Sequence, residues 1–363
     1  MSRSVFNYGA GPAMLPVPVM EQVQEEMRDY NGTGISIIEM NHRHDEFQET
    51  LASAKALFRE LMDIPDNYKV IWSHGGGGMQ FSSVPMNLMG LHPEGKALYC
   101  NTGFFSTWAI NEARRFGKVE VITSSEETGF DHIPKVDPAM VDGDAAYLLI
   151  TSNNTMMGTR WTEFPSPLKI PLVADLTSEI LSRPIDVSKF GVLFAGLQKN
   201  LGPPGTAVVI VREDLLGHSH PHIARQLDYT VLAEQDSMPS TPDVFAIYVT
   251  RLVLEWVKKQ GGVTAMETLN EKKAARLYGV IDNSDFYQGH AVAEDRSTQN
   301  YTFGLPSTAL VAKFFGEAEA QGLHGMKSPP MREDVRASMY NAMPMEGAEA
   351  LAGFMEEFER RNG

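Results

Sequence analysis

The chain has one cysteine, Cys100, in 363 residues. A lone thiol forms no internal disulfide, which fits a reducing compartment. Long apolar runs are also missing: none approaches the roughly 18 residues that span a bilayer. The opening residues, MSRSVFNYGAGPAMLP, have no apolar stretch of signal-peptide length. These absences point to the cytoplasm. Cations are scarce as well. There are 31 Lys and Arg against 46 Asp and Glu, a formal net charge of −15. Nucleic acid and membrane surfaces are therefore excluded as partners, because both are bound through basic patches. The deficit also sets a condition. An anionic substrate must be met by local Arg, Lys or His side chains.

What is present is an ordinary globular composition, 43% hydrophobic and 21% charged, enough for about two domains. Apolar runs rich in β-branched residues cover 68–73, 96–100, 119–123, 146–151, 170–174, 191–195 and 207–212. Several are apolar on both faces, as strands covered on both sides must be. Segments of helical period, such as 79–89 and 106–116, lie between them. This alternation predicts an α/β fold: a mainly parallel central sheet with helices on both faces. Ligands of such sheets sit at the carboxyl ends of the strands. Beyond about residue 264 the pattern changes to helix 269–280, a strand near 301–303 and helices 309–321 and 346–361, a smaller α+β C-terminal domain. The 20 methionines fall mostly at apolar helical positions and read as core.

Three features carry chemistry. In SHGGGGMQF, residues 73–81, a glycine run separates a strand from a helix. It is either a flexible turn or a cup whose N–H groups hold a phosphate at the helix N-terminus. Asp175 ends an apolar run in PLVADLTSEI; it is either a helix N-cap or a carboxylate facing a cationic ligand. Lys199 ends the run FAGLQKNLGPPG and, taken alone, reads as a solvated strand end. Taken together, a phosphate cup, an acid and an amine at successive strand ends are what pyridoxal 5′-phosphate requires.

The sequence resembles the phosphoserine aminotransferases, class V pyridoxal phosphate enzymes of fold type I, from end to end. The resemblance is carried by GPAMLP (11–16), MNHRHDEF (40–47), HGGGGMQF (74–81), LSRPIDVSKFGVLFAGLQKNLGP (181–203), YGVIDNSDFY (278–287) and VRASMYNAMPMEG (335–347). It implies that Lys199 is the Schiff-base lysine, Asp175 the acid on the pyridine nitrogen, and Gly77, Gly78 and Gln198 the phosphate contacts. It further implies that Thr155 binds the cofactor and that Phe105 takes the place of the family's stacking tryptophan, with Trp108 close behind. Ser240 and Thr241 match a pair that reaches the phosphate from a partner subunit, so a homodimer with composite sites follows. Arg336 matches the α-carboxylate anchor; His42 and Arg43 match part of the side-chain anion site. The implied domains are 16–264, large, and 1–15 with 265–363, small. The implied reaction is ping-pong transamination between small amino and 2-oxo acids, phosphoserine and 2-oxoglutarate, in serine and pyridoxine biosynthesis.

The chain departs from the family at several positions. Gly78 stands for a frequent Arg, Asn154 for a Glu and Ser240 for an Asn. In SPPMREDVRAS, Pro329 and Pro330 replace a His-Arg that helps bind the substrate phosphate, and Glu333 and Asp334 replace glycines. Lys327 or Arg332 is the available replacement cation. The substitutions keep an alternative open: the same chemistry on an unphosphorylated or differently charged amino acid. A further alternative is a non-catalytic relative holding a metal at His218, His220 and His222 of HSHPH. The intact Asp175 and Lys199 argue against it, and no metal is expected.

Overall fold

The seven apolar runs become the strands of one sheet in a computed structural model of the chain, which describes residues 5–141, 143–327 and 334–363. They are β1 (Tyr68–His74), β2 (Lys96–Asn101), β3 (Lys118–Ser124), β4 (Leu148–Thr151), β5 (Leu172–Asp175), β6 (Val192–Gly196) and β7 (Thr206–Arg212). The order across the sheet is β1-β7-β6-β5-β4-β2-β3. Only β7 runs antiparallel to its neighbours, β1 and β6.

Strand alternation divides the apolar side chains between two cores. On β6, Leu193 and Ala195 join one and Val192 and Phe194 the other. The first core is closed by α1 (Asp45–Met62), through Leu51 and Phe58, and by a helix that starts at Val244, through Ile247 and Leu254. The second is closed by α2 (Gly76–Leu88), through Phe81 and Val84, and by α3 (Phe104–Ala113), through Ala109 and Ile110. The sheet is thus covered on both faces, as its two-sided apolar strands require.

A third apolar cluster lies around an antiparallel sheet of β8 (Gln288–Gly289), β9 (Asn300–Gly304) and β10 (Val335–Ser338). It packs helices α4 (Gly262–Asp282), α5 (Thr308–Ala320) and α6 (Met345–Asn362), and takes in Tyr8 and Met14 from the start of the chain.

Two local expectations change. Helix α2 begins at Gly76 rather than near Met79, so three of the glycines form its first turn. Gly75 makes this possible: at φ +86° it turns the chain directly off β1, a conformation other residues seldom adopt. Asp175 caps no helix. The residues after it form turns, and its Oδ1 accepts a hydrogen bond from Thr177 N at 2.8 Å.

Candidate active site

Strand register brings the functional residues to one edge of the sheet. Thr151 pairs with Asp175, Asp175 with Phe194, and His74 with Thr206. The loops that leave this edge enclose a cavity of about 390 Å³. Gly77, Gly78, Phe105, Thr155, Asp175, Gln198 and Lys199, all expected from the sequence, line it.

Lys199 is no solvated strand end: it is 6% exposed. Its Nζ donates to Thr155 Oγ1 and lies 5.0 Å from the centre of the Phe105 ring and 6.0 Å from that of Tyr340. Asp175 is equally buried, at 5%. Burial pushes its carboxyl pKa up, and the Thr177 hydroxyl and N–H and the Lys199 ammonium oppose the shift. A cationic ligand group beside Asp175 would favour its ionised form.

The glycine cup is tight. A Cβ on Gly77 would lie 2.8 Å from Thr177 Oγ1, itself held by Gly196 N, and one on Gly78 would lie 3.0 Å from the Trp108 indole. Side chains there would fill the space over the first turn of α2, where N–H groups and the helix dipole favour an anion. Gln198 Oε1 is buried with no partner among the described residues. A glycine-lined helix start, a buried acid and a buried amine fit pyridoxal phosphate: α2 would hold its phosphate, Asp175 would face its ring nitrogen and Lys199 its carbonyl carbon. Both Phe105 and Trp108 line the cavity. Phe105 is the one within 5.0 Å of the amine; Trp108 is 41% exposed and packs edge-on to Phe81.

Sequence reading missed part of the lining. Asn153, Thr177 and Ser178 border the cavity, as do Gly11 and Pro12 of the GPAMLP motif. Their signal was adjacency: each sits within a few residues of a motif already singled out. Asn154, one of the departures, is held locally. Its amide donates to Thr159 Oγ1 and accepts from Thr102 Oγ1, so the neutral side chain is fully engaged in this buried position.

Other expected residues lie off the cavity wall. Arg336 is 4% exposed and donates to Ser338 Oγ at 2.8 Å and to the carbonyls of Lys327 at 2.8 Å and Tyr8 at 3.3 Å. Its Nε–H has no partner, and no carboxylate pairs with it, among the described residues. Burial lowers its pKa. His42, Arg43, Ser240 and Thr241 are also absent from the lining. Their two segments lie together: Gln48 Nε2 donates to the His42 carbonyl and reaches Met238 Sδ. Arg43 and Thr241 are exposed.

The replacement loop is only partly in view. Pro329, Pro330, Arg332 and Glu333 lie outside the described residues. Lys327 does not turn inward; its Nζ pairs with Glu319 at 3.4 Å and sits over Phe315. At HSHPH, the His220 and His222 rings are 5.6 Å apart, and no group of three metal-binding side chains converges among the described residues.

The fold and this cavity define a pyridoxal phosphate-dependent enzyme. The sequence matches the family model described as aminotransferase class-V over residues 5–351. It is 49% identical to a phosphoserine aminotransferase of Listeria monocytogenes serotype 4b (strain F2365), over 98% of this chain and 96% of that one. It is 45% identical to one from Bacillus cereus (strain ATCC 14579), over 99% of both. The crystal structure of the phosphoserine aminotransferase from Bacillus circulans subsp. alkalophilus superposes with a TM-score of 0.95 at 40% identity, covering 99% of each chain. The chain belongs to the class V aminotransferases and, within them, to the phosphoserine aminotransferase family. Membership sets aside the non-catalytic reading.

Proposed function

We propose that the chain exchanges an amino group between phosphoserine and 2-oxoglutarate, by ping-pong transamination in serine biosynthesis, and in pyridoxine biosynthesis where that pathway draws on it. The observation that carries the reading is the convergence of buried Lys199 and buried Asp175 on one glycine-lined cavity.

When bound, pyridoxal phosphate supplies a carbonyl carbon that takes up the amino group and a conjugated ring that spreads the electron pair left at the substrate Cα. The protein does the rest. Gly77, Gly78 and Gln198 would hold the phosphate, and Phe105 would pack against the ring. Asp175 would hold a proton at the ring nitrogen. Lys199 Nζ would take the proton from the substrate Cα and give it up, within the same half-reaction, to the carbon that has taken up the amino group; the second half-reaction runs this transfer in reverse. The Thr155 hydroxyl fixes the direction of that amine. Arg336 grips the substrate α-carboxylate; its burial with no carboxylate paired to it among the described residues supports this.

The chain acts as a homodimer. His42, Arg43, Ser240 and Thr241 serve the partner's cavity, a reading supported by the exposure of Arg43 and Thr241, the contact between the two segments, and their absence from their own chain's cavity wall. Residues 16–264 form the large domain; 1–15 and 265–363 form the small one. The separate apolar cluster that takes in Tyr8 and Met14 supports that division. The working compartment is the cytoplasm. Buried, unpaired Cys100 agrees with that, and no helix among the described residues is long and apolar enough to cross a membrane.

A second reading draws on the Lys327–Glu319 pair. With Lys327 engaged outward, the site favours an unphosphorylated or differently charged amino acid. Titrating the holoenzyme with phosphoserine, serine and glutamate decides between the two. The expected result is that phosphoserine and glutamate discharge the lysine-bound absorption band at concentrations at least ~100-fold below serine, the scale of a lost charged contact. Serine matching phosphoserine would replace the first reading with the second. Lys199→Ala should lack the band altogether.

A further inference from the structure

A buried polar seam joins the cavity wall to Arg336. Asn153, in the wall, donates from Nδ2 to Asn300 Oδ1 at 2.7 Å. Asn300 donates from its own Nδ2 to Ser338 Oγ at 2.8 Å, and Arg336 donates to the same oxygen at 2.8 Å. Asn153 is fixed in turn by Ser178 Oγ and Ser297 Oγ. Asn153, Asn300, Ser338 and Arg336 are all buried. Every link except the guanidinium is neutral.

From this geometry we infer that Asn300 is a positioning residue for Arg336. Its amide ties the guanidinium, through Ser338, to the cavity wall without itself adding a counter-charge. The inference rests on Arg336 as the carboxylate anchor. A primary amide suits the position because it both accepts and donates and carries no charge. Position 300 accepts from Asn153 and donates to the hydroxyls of Ser338 and, at 3.3 Å, Tyr340, whereas a carboxylate only accepts, so both hydroxyls would have to turn their protons toward it. An acid there would also stand one hydroxyl away from Arg336 and compete with the substrate carboxylate for its charge. The amide therefore fixes where the carboxylate grip sits relative to Lys199 while keeping its charge for the ligand.

Four variants of the holoenzyme test this: Asn300→Ala, Asn300→Asp, Ser338→Ala and Arg336→Lys. The measurements are the half-saturating glutamate concentration and limiting rate of the half-reaction, and the cofactor dissociation constant by absorbance. Asn300→Ala is expected to raise half-saturating glutamate about tenfold, the scale of one buried hydrogen bond. Asn300→Asp should raise it further. Cofactor affinity and limiting rate should stay within about twofold in both. Combined with Arg336→Lys, the Asn300→Ala effect should shrink, since both act through one guanidinium. Ser338→Ala removes the intermediate hydroxyl without touching Asn300, and serves if Asn300→Ala does not fold. Cofactor affinity falling in step with glutamate would overturn the inference in favour of a merely structural seam. So would full multiplication of the Arg336→Lys and Asn300→Ala effects. If Arg336→Lys weakens glutamate binding while Asn300→Asp and Ser338→Ala do not, this inference alone fails. An unchanged glutamate response in Arg336→Lys removes the anchor itself, and the inference with it.

Discussion

Lys273 gives the sharpest quantitative prediction. It lies on α4, fully buried, and its Nζ donates to the backbone carbonyls of Met339, Tyr340 and Met343. No carboxylate pairs with it among the described residues. Burial pushes its pKa down from 10.5 to about 7. The unfolded chain therefore holds a proton that the folded chain has lost over roughly pH 7 to 10.5. Stability must rise with pH through that window, and the contribution is lost as pH falls through the folded value. The slope is about 1.4 kcal/mol per pH unit in mid-window. Between pH 7, where folded Lys273 is half-protonated, and pH 9, wild type should gain about 2 kcal/mol on Lys273→Met. Urea unfolding of both proteins at the two pH values, at fixed protein and cofactor concentration, reads this difference. Lys273→Met also strips a donor from three carbonyls, so its absolute stability at pH 7 is a balance of opposed effects; the difference in slope is free of that balance. Parallel pH dependences would refute the reasoning, because they would mean that Lys273 keeps an ordinary pKa. The turn that Lys273 holds matters for the site. It carries Tyr340, which faces Lys199, and Asn341, whose N–H donates to Asn200 beside Lys199. Lys273→Met should therefore also lower kcat.

Asp175→Asn removes the charge proposed to face the ring nitrogen while still accepting from Thr177 N. The expected loss in kcat is about 10²–10³-fold, read in steady state with the fold checked by circular dichroism. Lys199→Ala and Arg43→Ala should each be inactive alone. Co-expressed, they should recover about one quarter of wild-type activity, since half the dimers are mixed and each mixed dimer has one intact site. No recovery would count against sites shared between subunits.

Local rules made much of this legible. A strand covered on both faces must be apolar at consecutive positions, so the seven runs could be read directly, within a residue or two of their observed ends. Asp175 and Lys199 stood out because a charge ending such a run needs a reason. The start of α2 was misjudged because glycine has low helix propensity, and that penalty hid the first turn.

By itself, the sequence determined the alternation of elements, the family, and the identity of the acid, the amine and the glycine cup, because each is written in neighbouring residues. Burial and pairing were decided only by the tertiary structure. In NEKKAARLY, Lys272 and Lys273 are adjacent lysines of one helix, yet one is exposed and the other buried. The carbonyls of Met339, Tyr340 and Met343 make the second position tenable for an amine. Asn153 and Asn300 are 147 residues apart, and no local pattern announces that their amides meet. Periodicity fixes which face of an element turns inward. What that face meets depends on how distant elements pack, and packing sets the dielectric, the hydrogen-bond partners and so the chemistry of each buried polar group.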